Sequence, residues 1–237
     1  MGETSAAPAT GLERSRSLVE ALGRLDELAK LLRRECPWDR EQDERSIVPH
    51  TVEEAYELAD AANSGDDAKL LDELGDVLYQ VYFLALILEE RDAGDLAAVA
   101  DNTREKLIRR HPHVFGEDKA ANAAEAIRSW GGVKRDQERG GAVFGEIPPT
   151  LPGPLYALKT QKRAANAGVR DREPGPALED ARRAAEQLEG DPGSREDRHR
   201  AVGDLLFAAV DAARGLGVDP ELALREAAER FRADNET

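Results

Sequence analysis

The sequence predicts an all-α protein built as a helical bundle, on two observations. Nearly every long segment repeats its apolar residues at helical spacing, and alternating Val/Ile/Thr runs bounded by turn residues are missing. At 237 residues, with 41% hydrophobic and 34% charged, the chain has the length for one large domain or two small ones.

The elements follow in order. Residues 1–13, beginning MGETSAAPAT, are small and polar, read as a disordered tail, and lack the basic-then-apolar order of a secretory signal. A first helix is expected over 14–34, with Leu18, Leu22, Leu25, Leu28 and Leu32 on one face, ending ahead of Pro37. After the irregular CPWDREQDERSIVPH, a second helix is expected to start at Thr51, where Thr51 and Glu54 have capping-box spacing, and to close at NSGDD. A third runs to about 90. Its segment VLYQVYFLALIL is apolar on all sides, as in a helix surrounded by protein, and falls short of the roughly 20 residues of a membrane span.

A fourth helix over 95–110 ends in the basic pair Arg109 and Arg110, and HPHVFG breaks the pattern before a fifth over 120–139. The Gly- and Pro-rich GGAVFGEIPPTLPGP, residues 140–154, is the linker candidate, which sets the expected domains at 14–139 and 155–237. Beyond it, helices are expected near 155–165, 177–188, 195–216 and 221–233.

A formal net charge of -15 argues against broad attraction to nucleic acid or to an anionic membrane surface. An anionic ligand would then need a local basic cluster or a bound cation. The single cysteine, Cys36, excludes an intramolecular disulfide framework and a zinc-binding cysteine cluster, and suits a cytoplasmic location.

The second half reads as a faded copy of the first. AVGDLLFAAV from Ala201 aligns with ELGDVLYQVY from Glu73, and RRAAEQL from Arg182 aligns with EEAYELA from Glu53. Arg182 and Arg183 then replace Glu53 and Glu54, Ala201 replaces Glu73, and only Glu186 and Asp204 keep their acids.

Acids concentrate in EEAYE and DELGD. Glu53, Glu54 and Glu57 flank the apolar arc of the second helix, where a dipole-complementing first turn would explain them without function. Glu73, Asp76 and Gln80 form a narrow polar stripe on an otherwise apolar helix, where the structural alternative is a salt-bridged or edge-exposed helix start, with Lys69 or the arginines of the fourth helix as partners. Facing carboxylates raise one another's pKa, and a divalent cation relieves that repulsion. Oxygen ligands without His or Cys suit Mg²⁺, with Mn²⁺ in its place, rather than Zn²⁺. A di-iron carboxylate bundle would show Glu-x-x-His pairs, and none occurs at these acids.

Taken together, EExxE and ExxD separated by fifteen residues, with CPWDREQ ahead of them and KLIRRHPHVFG behind, resemble the MazG family of all-α nucleoside triphosphate pyrophosphohydrolases. The resemblance continues, weaker, through SWGGVKRDQER, ALKTQKRAANAGV and GDLLFAAVDAARGLGVDPELALR. It implies two related helical units, the second degenerate, and a homodimer. It implies that Glu54, Glu57, Glu73 and Asp76 hold Mg²⁺ and that Glu53 orients or deprotonates the attacking water. The implied reaction is hydrolysis of nucleoside triphosphates to monophosphates and pyrophosphate by attack at the α-phosphorus, clearing noncanonical or excess nucleotides. Lys106, Arg109 and Arg110 resemble the family's phosphate-binding basic residues, and Trp130 and Lys134 its substrate-contacting tryptophan and lysine, although Gly131 and Gly132 follow where the family usually has acids. The alternatives are a narrower pyrophosphatase for dUTP/dCTP or phosphoribosyl-ATP, and a non-catalytic helical interaction protein. Trp38 and Asp39 shape the loop over the site, with Gln42 as a possible substrate contact, and His111 and His113 read as helix caps.

Overall fold

The computed structural model describes residues 11–116, 142–169, 174–189 and 193–236, with isolated positions between 119 and 132. Every regular element among them is a helix. The chain divides into two compact units, Met1–Glu105 and Lys106–Thr237.

In the first unit, α1 spans Gly11–Glu35, α2 Pro37–Glu41, α3 Glu44–Ser64, α4 Asp67–Glu89, and α5 Leu96–Arg110 runs on into the second. Helix α1 begins inside the expected tail, where Leu12 and Glu13 are good helix formers. Gly65 closes α3 in the left-handed conformation (φ 68°), a backbone geometry that favours glycine. Asp66 then caps α4 by accepting from the amides of Ala68 and Lys69, so a two-residue link folds α3 and α4 into an antiparallel hairpin.

The expected start of the second long helix is overturned. Helix α3 starts seven residues ahead of Thr51. Asp43 is its N-cap and forms the capping box with Ser46, while Thr51 lies inside the helix and donates to the Ile47 carbonyl. Pro49, which reads as a breaker, sits inside the helix one turn and a half from its start, where the missing N–H forfeits the one backbone bond it would make. The consequence reaches the site: Glu53, Glu54 and Glu57 are mid-helix, so the macrodipole at a helix start does not account for them.

The core of this unit gathers Ala29, Tyr82 and Leu86 in one cluster and Ile47, Phe83 and Ile87 in another, with Tyr79 packed against both. Helix α4 is therefore covered by α1 and α3, but not all round. Leu71, Leu74, Leu78 and Val81 leave an open apolar stripe, Leu71 being 73% exposed. Arg33 ties α1 to the end of α4 through two bonds to Glu90, at 2.6 and 2.8 Å.

In the second unit, α6 spans Pro112–Phe115, α7 Gly153–Asn166, α8 Pro174–Glu189, α9 Arg195–Gly215 and α10 Pro220–Asn235. Helices α8 and α9 pack as a second hairpin, and α7 lies against α9 and α10. Arg163 on α7 donates to the carbonyls of Phe144 and Glu146, pinning the described part of the expected linker. His111 places Nδ1 2.6 Å from the Leu107 carbonyl and so caps the end of α5. Most of the helix expected over 120–139 lies outside the described residues, as do Trp130 and Lys134.

Candidate functional site

The α3–α4 hairpin sets two acidic stripes face to face. Glu54 and Glu57 are one turn apart on α3, Glu73 lies across from them on α4, and one carboxylate oxygen from each lies within 4.8 Å of the others. Asp76 stands outside that group, yet its charge acts on both Glu54 and Glu73. Glu53, one position before Glu54, is exposed, with His50 Nδ1 3.7 Å from its carboxylate.

The electrostatics are those of uncompensated acids. Burial first, and then Asp76, Glu57, Glu73 and Glu53, hold the Glu54 carboxyl above its usual value. Burial, followed by Glu57, Asp76 and Asp72, does the same to Glu73. Glu73 Oε2 is buried with no hydrogen-bond partner among the described residues. The salt-bridged helix start considered for Glu73 and Asp76 is not seen: neither forms an ion pair among the described residues, with Lys69 or with any arginine. An orphaned buried oxygen beside two further carboxylates is the donor set a hard divalent cation fits.

The surrounding elements fix this geometry. Tyr79, one turn beyond Asp76, packs edge-on to Phe83 and anchors α4 in the core. The CPWDREQ segment folds as α2, with Pro37 at its first position. Arg33 donates to the carbonyls of Asp39 and Gln42, and Gln42 Nε2 donates to the Trp38 carbonyl. Gln42, a possible substrate contact from sequence, is thus a staple of the loop. Trp38 lies edge-on to His50 with ring centroids 6.0 Å apart, a neighbour relation that sequence reasoning missed because the two residues are twelve positions apart in irregular-looking sequence.

The basic candidates stand on the last turns of α5, where Lys106 and Arg110 share a face and are half-buried while Arg109 is exposed.

The second unit offers the counterpart of the acidic hairpin. A cleft of about 260 Å³ between α8 and α9 is lined by Asp180, Arg183, Gln187, Asp204 and Asp211, among others. Arg183, aligned in sequence with Glu54, sits 3.5 Å from Asp180. Glu186, aligned with Glu57, is engaged by Arg182, which also binds Glu179.

Comparison with known proteins follows this geometry. Residues 42–115, which contain all four acids of the constellation, match the family model described as the MazG nucleotide pyrophosphohydrolase domain. A nucleoside triphosphate pyrophosphohydrolase from Escherichia coli is 38% identical over 206 residues, covering 83% of this chain and 77% of the relative. The nucleoside triphosphate pyrophosphohydrolase/pyrophosphatase MazG of Thermotoga maritima is 39% identical over 199 residues, covering 83% and 76%. A solved structure of a mazG-related protein from Thermotoga maritima overlays at a TM-score of 0.42 with 29% identity, covering 48% of this chain and 98% of that one. That overlay is partial, and the all-α class rests on the helices themselves.

Proposed function

The chain belongs to the MazG family of nucleoside triphosphate pyrophosphohydrolases, and from that premise we propose that it hydrolyses nucleoside triphosphates at the α-phosphorus, in the acidic hairpin of the first unit. The observation that carries this reading is the convergence of Glu54, Glu57 and Glu73 within 4.8 Å, with Glu73 Oε2 buried and unpartnered.

Glu54, Glu57, Glu73 and Asp76 are the residues to hold Mg²⁺ or Mn²⁺. Bound there, such a cation supplies charge neutralisation for the phosphate oxygens and polarises the bond under attack. Glu53 is exposed and adjacent to this cluster, which suits it to accept the proton of the attacking water. As the water oxygen bonds to the α-phosphorus, the bond to the bridging oxygen breaks, and pyrophosphate leaves with that oxygen. Lys106, Arg109 and Arg110 serve as the cationic phosphate contacts that a chain of net charge -15 must supply locally, with Trp130 and Lys134 as further substrate contacts.

A homodimer completes this reading. The open stripe Leu71, Leu74, Leu78 and Val81 on α4 is apolar surface that a second copy would bury. No helix among the described residues is long and apolar enough to cross a membrane. We assign the enzyme to the cytoplasm and to the removal of noncanonical or excess nucleotides.

The test is pyrophosphate release across a panel of canonical and modified triphosphates, with Mg²⁺ and with a chelator. Metal-dependent release from several of them supports the reading. Release from one alone would narrow it to a dedicated pyrophosphatase, and release from none would contradict it.

A further inference from the structure

Helices α3 and α4 share a neutral polar pair at the edge of the acidic stretch. Thr51 Oγ1 lies 3.5 Å from Gln80 Oε1 and 3.3 Å from the carbonyl of Ile47 on its own helix, and both side chains are half-buried. One turn beyond them, away from the acids, Ile47 and Phe83 belong to the core, at 2% and 1% exposed. One turn the other way stand Glu54 and Asp76. The pair is therefore the boundary between the packed part of the hairpin seam and its charged part.

The register of the seam places that pair on the same ladder as the acids. Carboxylate oxygens of Glu57 and Glu73 lie within 4.8 Å of each other, Asp76 is the charge acting most strongly on Glu54, and Thr51 meets Gln80. Positions 57, 54 and 51 on α3 thus run against 73, 76 and 80 on α4 in antiparallel steps of about one turn. Gln80 stands where the acidic ladder would continue, and it carries glutamate's shape without its charge. The aligned positions of the second unit lack the pair: they are Asp180 and Ala208, both lining the cleft between α8 and α9, and Asp180 meets Arg183 on its own helix.

The acids explain why a neutral pair is needed there. Carboxylates on facing helices repel, and the Gly65–Asp66 link closes the seam on only one side of them. An ion pair on the other side would alter the charge offered to a cation, whereas a hydrogen bond between neutral groups does not. The Thr51 hydroxyl both donates and accepts, so it bonds to either end of the Gln80 amide while staying beside the Ile47 carbonyl. We infer that Thr51 and Gln80 are positioning residues for the metal site, a neutral strut that sets the spacing between the acids of α3 and those of α4. The inference rests on the function proposed above and adds what holds its ligands at coordinating distance against their own repulsion.

The test uses the full chain and Mn²⁺ titration followed by electron paramagnetic resonance. Thr51→Val, which keeps the shape and removes the hydroxyl, and Gln80→Leu should each weaken Mn²⁺ binding about tenfold. The double variant should be no weaker than the worse single one, and Thr51→Ser, which keeps the hydroxyl, should bind within about twofold of the wild type. Ile47→Val, which loosens the core one turn away, should lower stability to denaturant with an unchanged Mn²⁺ Kd, separating positioning from packing. Unchanged Mn²⁺ affinity in Thr51→Val and Gln80→Leu, losses that add in the double variant, or an equal loss in Ile47→Val overturns the strut and leaves the proposed function standing. A wild-type chain that neither binds Mn²⁺ nor releases pyrophosphate overturns the function and the strut with it.

Discussion

The two hairpins make an instructive pair, each taken by itself. In α3–α4, Glu54, Glu57 and Glu73 crowd together, no arginine or lysine among the described residues is paired with them, and two of their carboxyls are held above the usual value. In α8–α9 four acids have an arginine partner on their own helix: Glu179 and Glu186 bind Arg182, Asp180 meets Arg183, and Asp211 binds Arg214 at 2.8 Å. The Glu179 carboxyl is correspondingly held below its usual value by Arg182, and the Arg182 guanidinium above its own, first by Glu179. Similar hairpins thus resolve the same electrostatic problem differently. One carries its cations covalently, as arginines, and the other leaves charge for a ligand to neutralise.

The largest way to break the contrast is Glu73→Gln. It removes the charge at the orphaned oxygen with little change in shape, and we expect kcat/KM for nucleoside triphosphate hydrolysis to fall about a thousandfold or more, with an unchanged circular dichroism spectrum. Steady-state pyrophosphate release checks it. Next comes the cation itself. At a concentration about a hundred times its Kd, Mg²⁺ should stabilise the chain by about 2.7 kcal/mol, read from denaturant unfolding. The gain should vanish in the double variant Glu54→Gln with Glu73→Gln.

The contrast can also be transplanted. Arg183→Glu with Ala201→Glu rebuilds acids at the positions aligned with Glu54 and Glu73, beside the existing Asp204. Mn²⁺ titration followed by electron paramagnetic resonance should then show a second class of binding site. A binding curve identical to that of the wild type would mean that acids in this cleft do not suffice.

A smaller effect is the pH dependence of the metal-free protein. Because Glu54 and Glu73 bind protons more tightly folded than unfolded, their ionisation opposes folding, and that cost fades as pH falls through the raised values toward 4.5. In chelator, the Glu54→Gln and Glu73→Gln double variant should melt above the wild type at pH 7, and the gap should close on acidification across that window. A constant gap would show that the carboxyls are not shifted by their surroundings.

How much of this was legible in the sequence depends on which forces set each feature. Helices α7 to α10 lie within about three residues of their expected ends, because burial of one face imposes a period that sequence displays directly. The start of α3 was not legible. Thr51 and Glu54 have capping-box spacing, but Asp43 and Ser46 cap first, and the choice depends on whether Pro49 ends a helix or is absorbed near its start. The same ambiguity hid α2, where Pro37 opens a helix instead of only closing the one before.

At the site, the spacing of EExxE and ExxD anticipated that Glu54, Glu57 and Glu73 would face one another across two helices. It could not show that Glu73 would leave a buried oxygen unpartnered while Asp76 stood outside the closest group, since that depends on how two helices meet. The all-round apolar character of α4 likewise misled in part: its Leu71–Val81 stripe is open in this chain. The clamp on α2 is invisible in sequence, because Arg33 reaches it through backbone carbonyls, which every residue possesses.

The central claim is that the acids of the first unit do the chemistry and those of the second do not. Pyrophosphate release by Glu57→Ala and by Asp204→Ala, measured side by side under saturating Mg²⁺, tests it most directly. The account predicts that Glu57→Ala abolishes release while Asp204→Ala retains the wild-type rate; an active Glu57→Ala beside an inactive Asp204→Ala would contradict it.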